Sequence, residues 1–455
     1  MTQAGSLGWL GIIRLGLIQA ALGAIVVLTT STMNRVMVVE FALPAMLPGA
    51  LVALHHAIQM SRPRFGYGSD VGGRRTPWII GGMFVLALGG VTAAVGTALM
   101  GVDVFWGTVV AFIGFMLIGL GVGAGGTSLL VFLAKRVDEG RRAAAATIVW
   151  VMMIVGFAVT AGVAGHFLDP FSPQRLVLVT SVVALIAVIV TVLAMYNLEN
   201  STSPVAKDED QAAEKPNFRA ALAEVWQEQE ARRFTIFVFV SMLAYSAQDL
   251  ILEPFAGLVF EMTPGESTQL SGLQHAGVLL GMIIVAVTGT VLKRGRHSAL
   301  KRWTVVGCLA SAAALFSIAF GGFFGPAWPL KASVFGLGVA NGAFAVAAIG
   351  SMMALAGHGR ARREGLRMGL WGAAQAIAFG LGGFLGTVAV DAARLFFGAP
   401  EVAYAIVFCA EAILFIVAAV LALSVHAPEQ TDDAKGVAMF GDAELADLVD
   451  GRSGA

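Results

Sequence analysis

The stretch RLVLVTSVVALIAVIVTVLAMYN, residues 175–197, carries no charged side chain between Arg175 and Glu199. About 20 apolar residues in a helix cross the ~30 Å hydrocarbon core of a bilayer, so this segment reads as a membrane span. The rest of the chain resembles it. Of 455 residues, 57% are hydrophobic and 13% charged, about half the charged share of a soluble domain. Similar runs lie at 12–32, 36–60, 78–99, 104–134, 144–166, 234–256, 268–292, 303–324, 330–356, 367–392 and 402–425. Together they predict an all-α polytopic membrane protein with twelve transmembrane helices. The runs 104–134 and 330–356 are long enough to tilt or protrude. The first run lacks an A-x-A-like cleavage site and reads as a span, not as a signal peptide.

The Arg175-Leu176 that opens this stretch returns as Arg394-Leu395, 219 positions later. The same offset relates Arg14 to Arg233, Arg74-Arg75 to Lys293-Arg294, and Gly140-Arg141 to Gly359-Arg360. Inside the second span it relates Leu54-His55-His56-Ala57 to Leu273-Gln274-His275-Ala276. One offset kept across loops and a span indicates an internal duplication. The chain therefore divides into residues 1–197, a six-helix bundle, and 234–425, a second six-helix bundle in the same orientation. Residues 198–233 join them. Their first part, Glu199 to Pro216, is polar linker. Their second part sets Phe218, Leu222, Val225 and Trp226 against Arg219, Glu224, Glu228 and Glu230, which reads as an amphipathic helix on the membrane surface. Residues 426–455 form an acidic tail.

Lys and Arg crowd one set of loops: 61–77, 135–143, 198–233, 293–302 and 357–367. The opposite loops carry only Arg35, Arg175, Lys331 and Arg394. The positive-inside rule places both termini and the long linker in the cytoplasm. Net charge is zero, with 29 basic and 29 acidic residues, and nothing points to a nucleic-acid partner. The two cysteines, Cys308 and Cys409, lie in apolar runs and imply no disulfide or metal framework.

The loop from Gly66 to Arg75, with Asp70, Gly73 and Arg74 between, resembles the G-x-x-x-D-x-x-G-R-[KR] signature of the major facilitator superfamily. Gly makes the tight turn, Asp caps or charge-pairs a helix end, and the arginines stay cytoplasmic. A parallel repeat of six-helix halves fits that fold. Other stretches are more particular: Thr32-Met33-Asn34-Arg35-Val36-Met37-Val38-Val39-Glu40, Ser69-Asp70 with Gly73-Arg74-Arg75-Thr76-Pro77, and Ala247-Gln248-Asp249-Leu250-Ile251-Leu252-Glu253-Pro254. These resemble the PucC/LhaA family of phototrophic bacteria over nearly the whole chain. The resemblance implies assembly of light-harvesting antenna complexes by carrying bacteriochlorophyll to nascent antenna polypeptides. It implies a cytoplasmic or intracytoplasmic membrane, and lipids, antenna polypeptides or a bacteriochlorophyll synthase as partners. The loop between Ser-Asp and Arg-Arg is shorter than in members serving light-harvesting complexes one and two, which suggests a sister branch.

Polar residues inside spans are costly and mark candidate sites. His55, His56 and His275 can each offer a neutral imidazole to a chlorophyll magnesium, with His56 and His275 symmetry-related and flanking one cavity. Gln274 and Gln375 are further ligand contacts. The plainer reading makes each a hydrogen bond between helices, and both stand. Asn34, Arg35 and Glu40 at the first hairpin, and Gln248, Asp249, Glu253 and Pro254 at the end of span seven, suggest a gate. In it Arg35 pairs across the halves with Asp249 or Glu253; a static ion pair is the alternative. Glu411, in span twelve, faces either a partner helix or the core. The G-x-G-x-x-G within Gly119–Gly126 has no preceding strand and reads as helix packing, not as a dinucleotide site.

No catalytic triad, zinc spacing or Walker loop is present in its structural context, so an enzyme is not expected. Three functions remain: a pigment-handling assembly factor, a proton-coupled secondary transporter of a small solute, and a ligand-free docking scaffold.

Overall fold

A computed structural model describes residues 7–61, 74–199, 226–291, 296–357 and 364–424. Helix α1 runs from Trp9 to Glu40, well past the boundary expected at 32. Nothing in Thr29–Arg35 stops a helix, but its hydroxyls disturb one. Thr29 and Thr30 both donate to the Val26 carbonyl, at 2.8 and 3.0 Å, and compete with the backbone ladder there. The helix widens into π turns at Leu28–Thr32 and again at Val36–Glu40. Ala42, at φ 49°, and Pro44 then make the turn. Helix α2 is consequently short, Met46–Gln59, 14 residues. The expectation of a first hairpin at Asn34–Glu40 is thus corrected: those residues form the last turns of α1.

The following helices are α3 Thr76–Met100, α4 Val104–Arg136, α5 Glu139–Leu168, α6 Pro173–Met195, α7 Gln229–Phe260 and α8 Pro264–Val291. Then come α9 Arg296–Gly321, α10 Leu330–Gly357, α11 Glu364–Phe397 and α12 Pro400–Ser424. Eleven of the twelve are long and apolar enough to cross a membrane; α2 occupies the place of the twelfth. The amphipathic surface helix expected near 217–232 lies partly outside the described residues, and its end, from Gln229, belongs to α7. Gly66, Asp70 and Gly73 also lie outside the described residues, as does the acidic tail.

Within the first six helices, α1 packs on α5 and α6, α2 on α4, and α3 on α4 and α6. Adding six to each number gives the packing of the second six: α7 on α11 and α12, α8 on α10, α9 on α10 and α12. The duplication in sequence is therefore a duplication in contacts. The halves meet along two seams, α5 with α8 and α2 with α11.

Small residues bring the paired helices together. A Cβ on Gly82 of α3 would lie 2.4 Å from the backbone nitrogen of Gly125 on α4. Gly121 approaches Leu86 as closely, its Cβ falling 2.5 Å from that nitrogen. The glycine run of α4 is helix packing, as its context implied. Outer faces, such as Leu178, Leu185 and Leu193 of α6, are exposed and apolar, as lipid contact requires.

On the charge-rich face, Glu199 accepts from the amides of Arg75 and Thr76 and from the Thr76 hydroxyl, at 2.8, 3.0 and 2.6 Å. It thereby caps α3 from the end of α6. Arg74 is exposed beside it and Arg75 is buried. Partial burial pushes the Glu199 carboxyl up, but the Thr76 hydroxyl, the two amides and nearby Arg136 together hold it below its ordinary value. The stability this cap contributes is fully present above the ordinary carboxylate range and is lost as pH falls below that range through the lowered value of Glu199.

Candidate functional site

The polar residues that join the halves gather near the charge-poor face. Ser31 meets Ser271 at 3.2 Å and Thr32 meets Thr268 at 3.0 Å, both buried, linking α1 to α8. One turn on, Asn34 Nδ2 donates to the carbonyl of Leu250 on α7. That carbonyl would ordinarily accept from the amide of residue 254, and Pro254 has none. Asn34 thus fills a place that Pro254 leaves empty. Arg35, 2% exposed, pairs with Glu40 on its own helix. Its Nη2 donates across the seam to the Met262 carbonyl at 2.6 Å.

The expected cross-half ion pair is therefore corrected. Arg35 does reach the other half, but at a backbone carbonyl, because Glu40 lies one widened turn away on α1 and claims its charge. Glu253 is buried, with the Ser31 and Ser271 hydroxyls as hydrogen-bonding neighbours and Arg35 acting on it electrostatically. Gln248, buried on the same helix, has no side-chain hydrogen-bond partner among the described residues. Asp249 is half-buried, and Tyr245, one turn before it, and Glu411 of α12 lie within its electrostatic reach. Glu411 is buried; it faces the core at α7 rather than a partner helix.

The histidines are placed less simply. Gln59 Nε2 lies 2.7 Å from His55 Nε2, so a hydrogen bond within α2 engages one of the two ring nitrogens. The His56 ring lies 4.3 Å from that of His55 and 5.9 Å from Phe379 of α11. His275 lies 2.8 Å by its Nδ1 from the Ser271 carbonyl, and its ring meets Phe157 of α5 edge-on at 4.9 Å. A proton on Nδ1 leaves Nε2 its lone pair. His56 and His275 stand on equivalent helices of the two halves, each against a helix of the other half. The pseudo-symmetry puts His56 in the α2–α11 seam and His275 in the α5–α8 seam. Gln274 is buried beside the second seam, and Gln375 lies 3.9 Å from the sulfur of Met242, inside the second half.

Two residues missed in the sequence complete the closure. Asp169, ending α5, accepts from the Gly265 amide and the Thr263 hydroxyl, at 3.2 and 2.7 Å, at the start of α8. Asp391, late in α11, accepts from the amides of Ala45 and Met46, at 2.9 and 2.7 Å, at the start of α2. Each half caps a helix of the other, from equivalent helices of the repeat though not from equivalent residues. Anions suit helix N-termini, but a cap supplied from a distant helix leaves no local signature. A depression of about 680 Å³ lies above, lined by Arg35, Glu40, Asp169, Glu261, Thr263 and Glu266 among others.

A family model described as PUCC protein matches residues 32–430. The chain belongs to the PUCC protein family. Among the relatives of this PUCC chain is the "Bacteriochlorophyll synthase 44.5 kDa chain" of Rhodobacter capsulatus. It is 54% identical over 93% of this chain and 96% of its own. "Protein PucC" of the same organism is 30% identical over 90% and 91%. Solved structures give the fold. A bacterial homologue of the lysosomal transporter Spinster, inward-facing and occupied, aligns with TM-score 0.65 at 15% identity over 91% of this chain and 96% of its own. The nucleoside transporter NupG aligns with TM-score 0.63 at 13% identity, over 91% and 99%. The PUCC chain is thus a multi-pass membrane protein with the major facilitator fold, as its sequence resemblance implied.

Proposed function

We propose that this protein binds bacteriochlorophyll and hands it to antenna polypeptides in the inner or intracytoplasmic membrane, acting as an assembly factor and not as an enzyme. The observation that carries this reading is the 54% identity, nearly end to end, with a chain named for bacteriochlorophyll synthesis. His275 supports it chemically. With Nδ1 held by the Ser271 carbonyl, Nε2 is a suitable axial ligand for a magnesium in a macrocycle, and Phe157 offers an aromatic edge beside it. Bound pigment would supply only light absorption and its metal; the chain supplies the ligand, an apolar surround and the release. The charge-rich face, with both termini, is cytoplasmic in this reading. A bacteriochlorophyll synthase is the natural donor and antenna polypeptides the acceptors.

Secondary transport of a small solute is the second reading. It is favoured by the two-seam architecture and the closed charge-poor face.

Purification from a phototrophic host in mild detergent, with pigment quantified by near-infrared absorption, separates the readings. Near-stoichiometric bacteriochlorophyll is expected. A colourless protein that drives solute flux in liposomes would support transport instead. A colourless protein that brings antenna polypeptides with it, without flux, would make it a docking scaffold.

A further inference from the structure

Glu253 is a buried acid where α1, α7 and α8 meet. The Ser31 and Ser271 hydroxyls are its hydrogen-bonding neighbours, and Arg35 acts on it electrostatically without an ion pair between them. Arg35 Nε is buried with no hydrogen-bond partner among the described residues. A buried acid beside a cation with an unfilled donor is a pair waiting for a charge. The surroundings are built to move. Helix α1 carries π turns on either side of Met33–Arg35, and such turns recur at functional sites. Helix α7 carries Pro254 at the position equivalent to Arg35 under the 219-residue repeat. Both symmetry-related helices therefore depart from the regular hydrogen-bond ladder at the same depth, without interruption.

We propose that Glu253 is a proton-binding site whose proton governs the seam between the halves, so that the protein cycles in a proton-linked way. With the proton on, Glu253 is neutral and Arg35 holds only Glu40 and the Met262 carbonyl. When that proton leaves to solvent, the carboxylate takes Arg35 Nε and adds a cross-half ion pair to the closure. Protonation therefore loosens the charge-poor seam and deprotonation tightens it. The other ionisable groups around α7 are few. Helix α1 presents Arg35 and Glu40, α8 presents His275 one turn from Ser271, and α12 presents Glu411. Helix α7 adds Tyr245 and Asp249. Glu261 just beyond it, Glu266 of α8 and Asp169 at the end of α5 share the depression that Arg35 and Glu40 line. Helices α10 and α11 bring Lys331, Asp391 and Arg394 at this end. Of these, Arg35 is the cation beside Glu253. The inference needs no particular cargo and stands apart from the pigment reading.

The test is a distance between the halves against pH. Val102 and Phe323, both exposed on charge-poor loops, take nitroxide labels as V102C and F323C in a C409S full-length protein, read by double electron–electron resonance. From pH 8 to pH 5 the long-distance population is expected to rise by at least about fivefold, an ordinary coupling strength. E253Q should hold the low-pH distribution throughout, and E253D should keep the shift. D249N and E411Q should shift as the parent does. If E253Q does not yield folded protein, R35Q must abolish the shift in its place. A parent that does not shift, an E253Q or R35Q that still does, or a shift lost with D249N or E411Q would overturn the proposal.

Discussion

Gly342→Ala will lower the stability of the second half by about 3 kcal/mol, the upper range for overpacked cores. A Cβ at Gly342 of α10 would lie 2.0 Å from the Val278 carbonyl oxygen of α8. Gly338 of α10 and Gly281 of α8 are held almost as closely across the same contact, their Cβ atoms falling 2.1 Å from the carbonyls of Gln274 and Val339. Every one of these obstacles is backbone, so no rotamer change relieves them. The helices must separate, and the packing of α8 against α5 along the seam goes with them. Melting in detergent, followed by intrinsic fluorescence, should show a midpoint lower by roughly 5 °C or more. Gly336, with open space where its Cβ would stand, is the control, and G336A should melt as the parent does. Equal melting of G342A and the parent would mean that α8 and α10 are not in backbone contact.

Asn34→Leu is the second large effect. It strips the Leu250 carbonyl of the Asn34 amide donor in a buried place, at a cost of about 1–3 kcal/mol. The physical account predicts its own rescue. Pro254→Ala restores an amide to position 254, and the carbonyl regains a helical partner. N34L should then cost much less in a P254A background than alone, with a coupling of about 1 kcal/mol or more. A strictly additive cycle would show that Asn34 does not substitute for the missing amide.

These two sites mark what the sequence makes legible. The spans, their pairing into halves and the family follow from apolar run lengths, one repeat offset and a few motif residues. The polar residues of α1 and α7 were legible as a cross-half cluster because charge inside a span needs a reason. Their bonding was not. That Arg35 would turn to Glu40 depends on the π turn at Val36–Glu40 that brings Glu40 round, and no residue pattern in that stretch announces it. That Asn34 serves Leu250 depends on a proline in another helix. Asp169 and Asp391 carry no local signal of their role, since the amides they cap belong to the opposite half. His56 and His275 were rightly paired by symmetry, but symmetry about an axis between the halves separates such a pair into different seams.

The central claim is pigment binding, and a titration of the purified, pigment-free protein with bacteriochlorophyll in detergent tests it most directly. The near-infrared band is followed for the parent, H275A and H56A. The account predicts saturable binding with a band displaced from that of free pigment, weakened about tenfold or more (roughly 1.4 kcal/mol) in H275A and little changed in H56A. Saturable binding that survives in H275A would move the ligand elsewhere, and a parent that never displaces the band would contradict the claim itself.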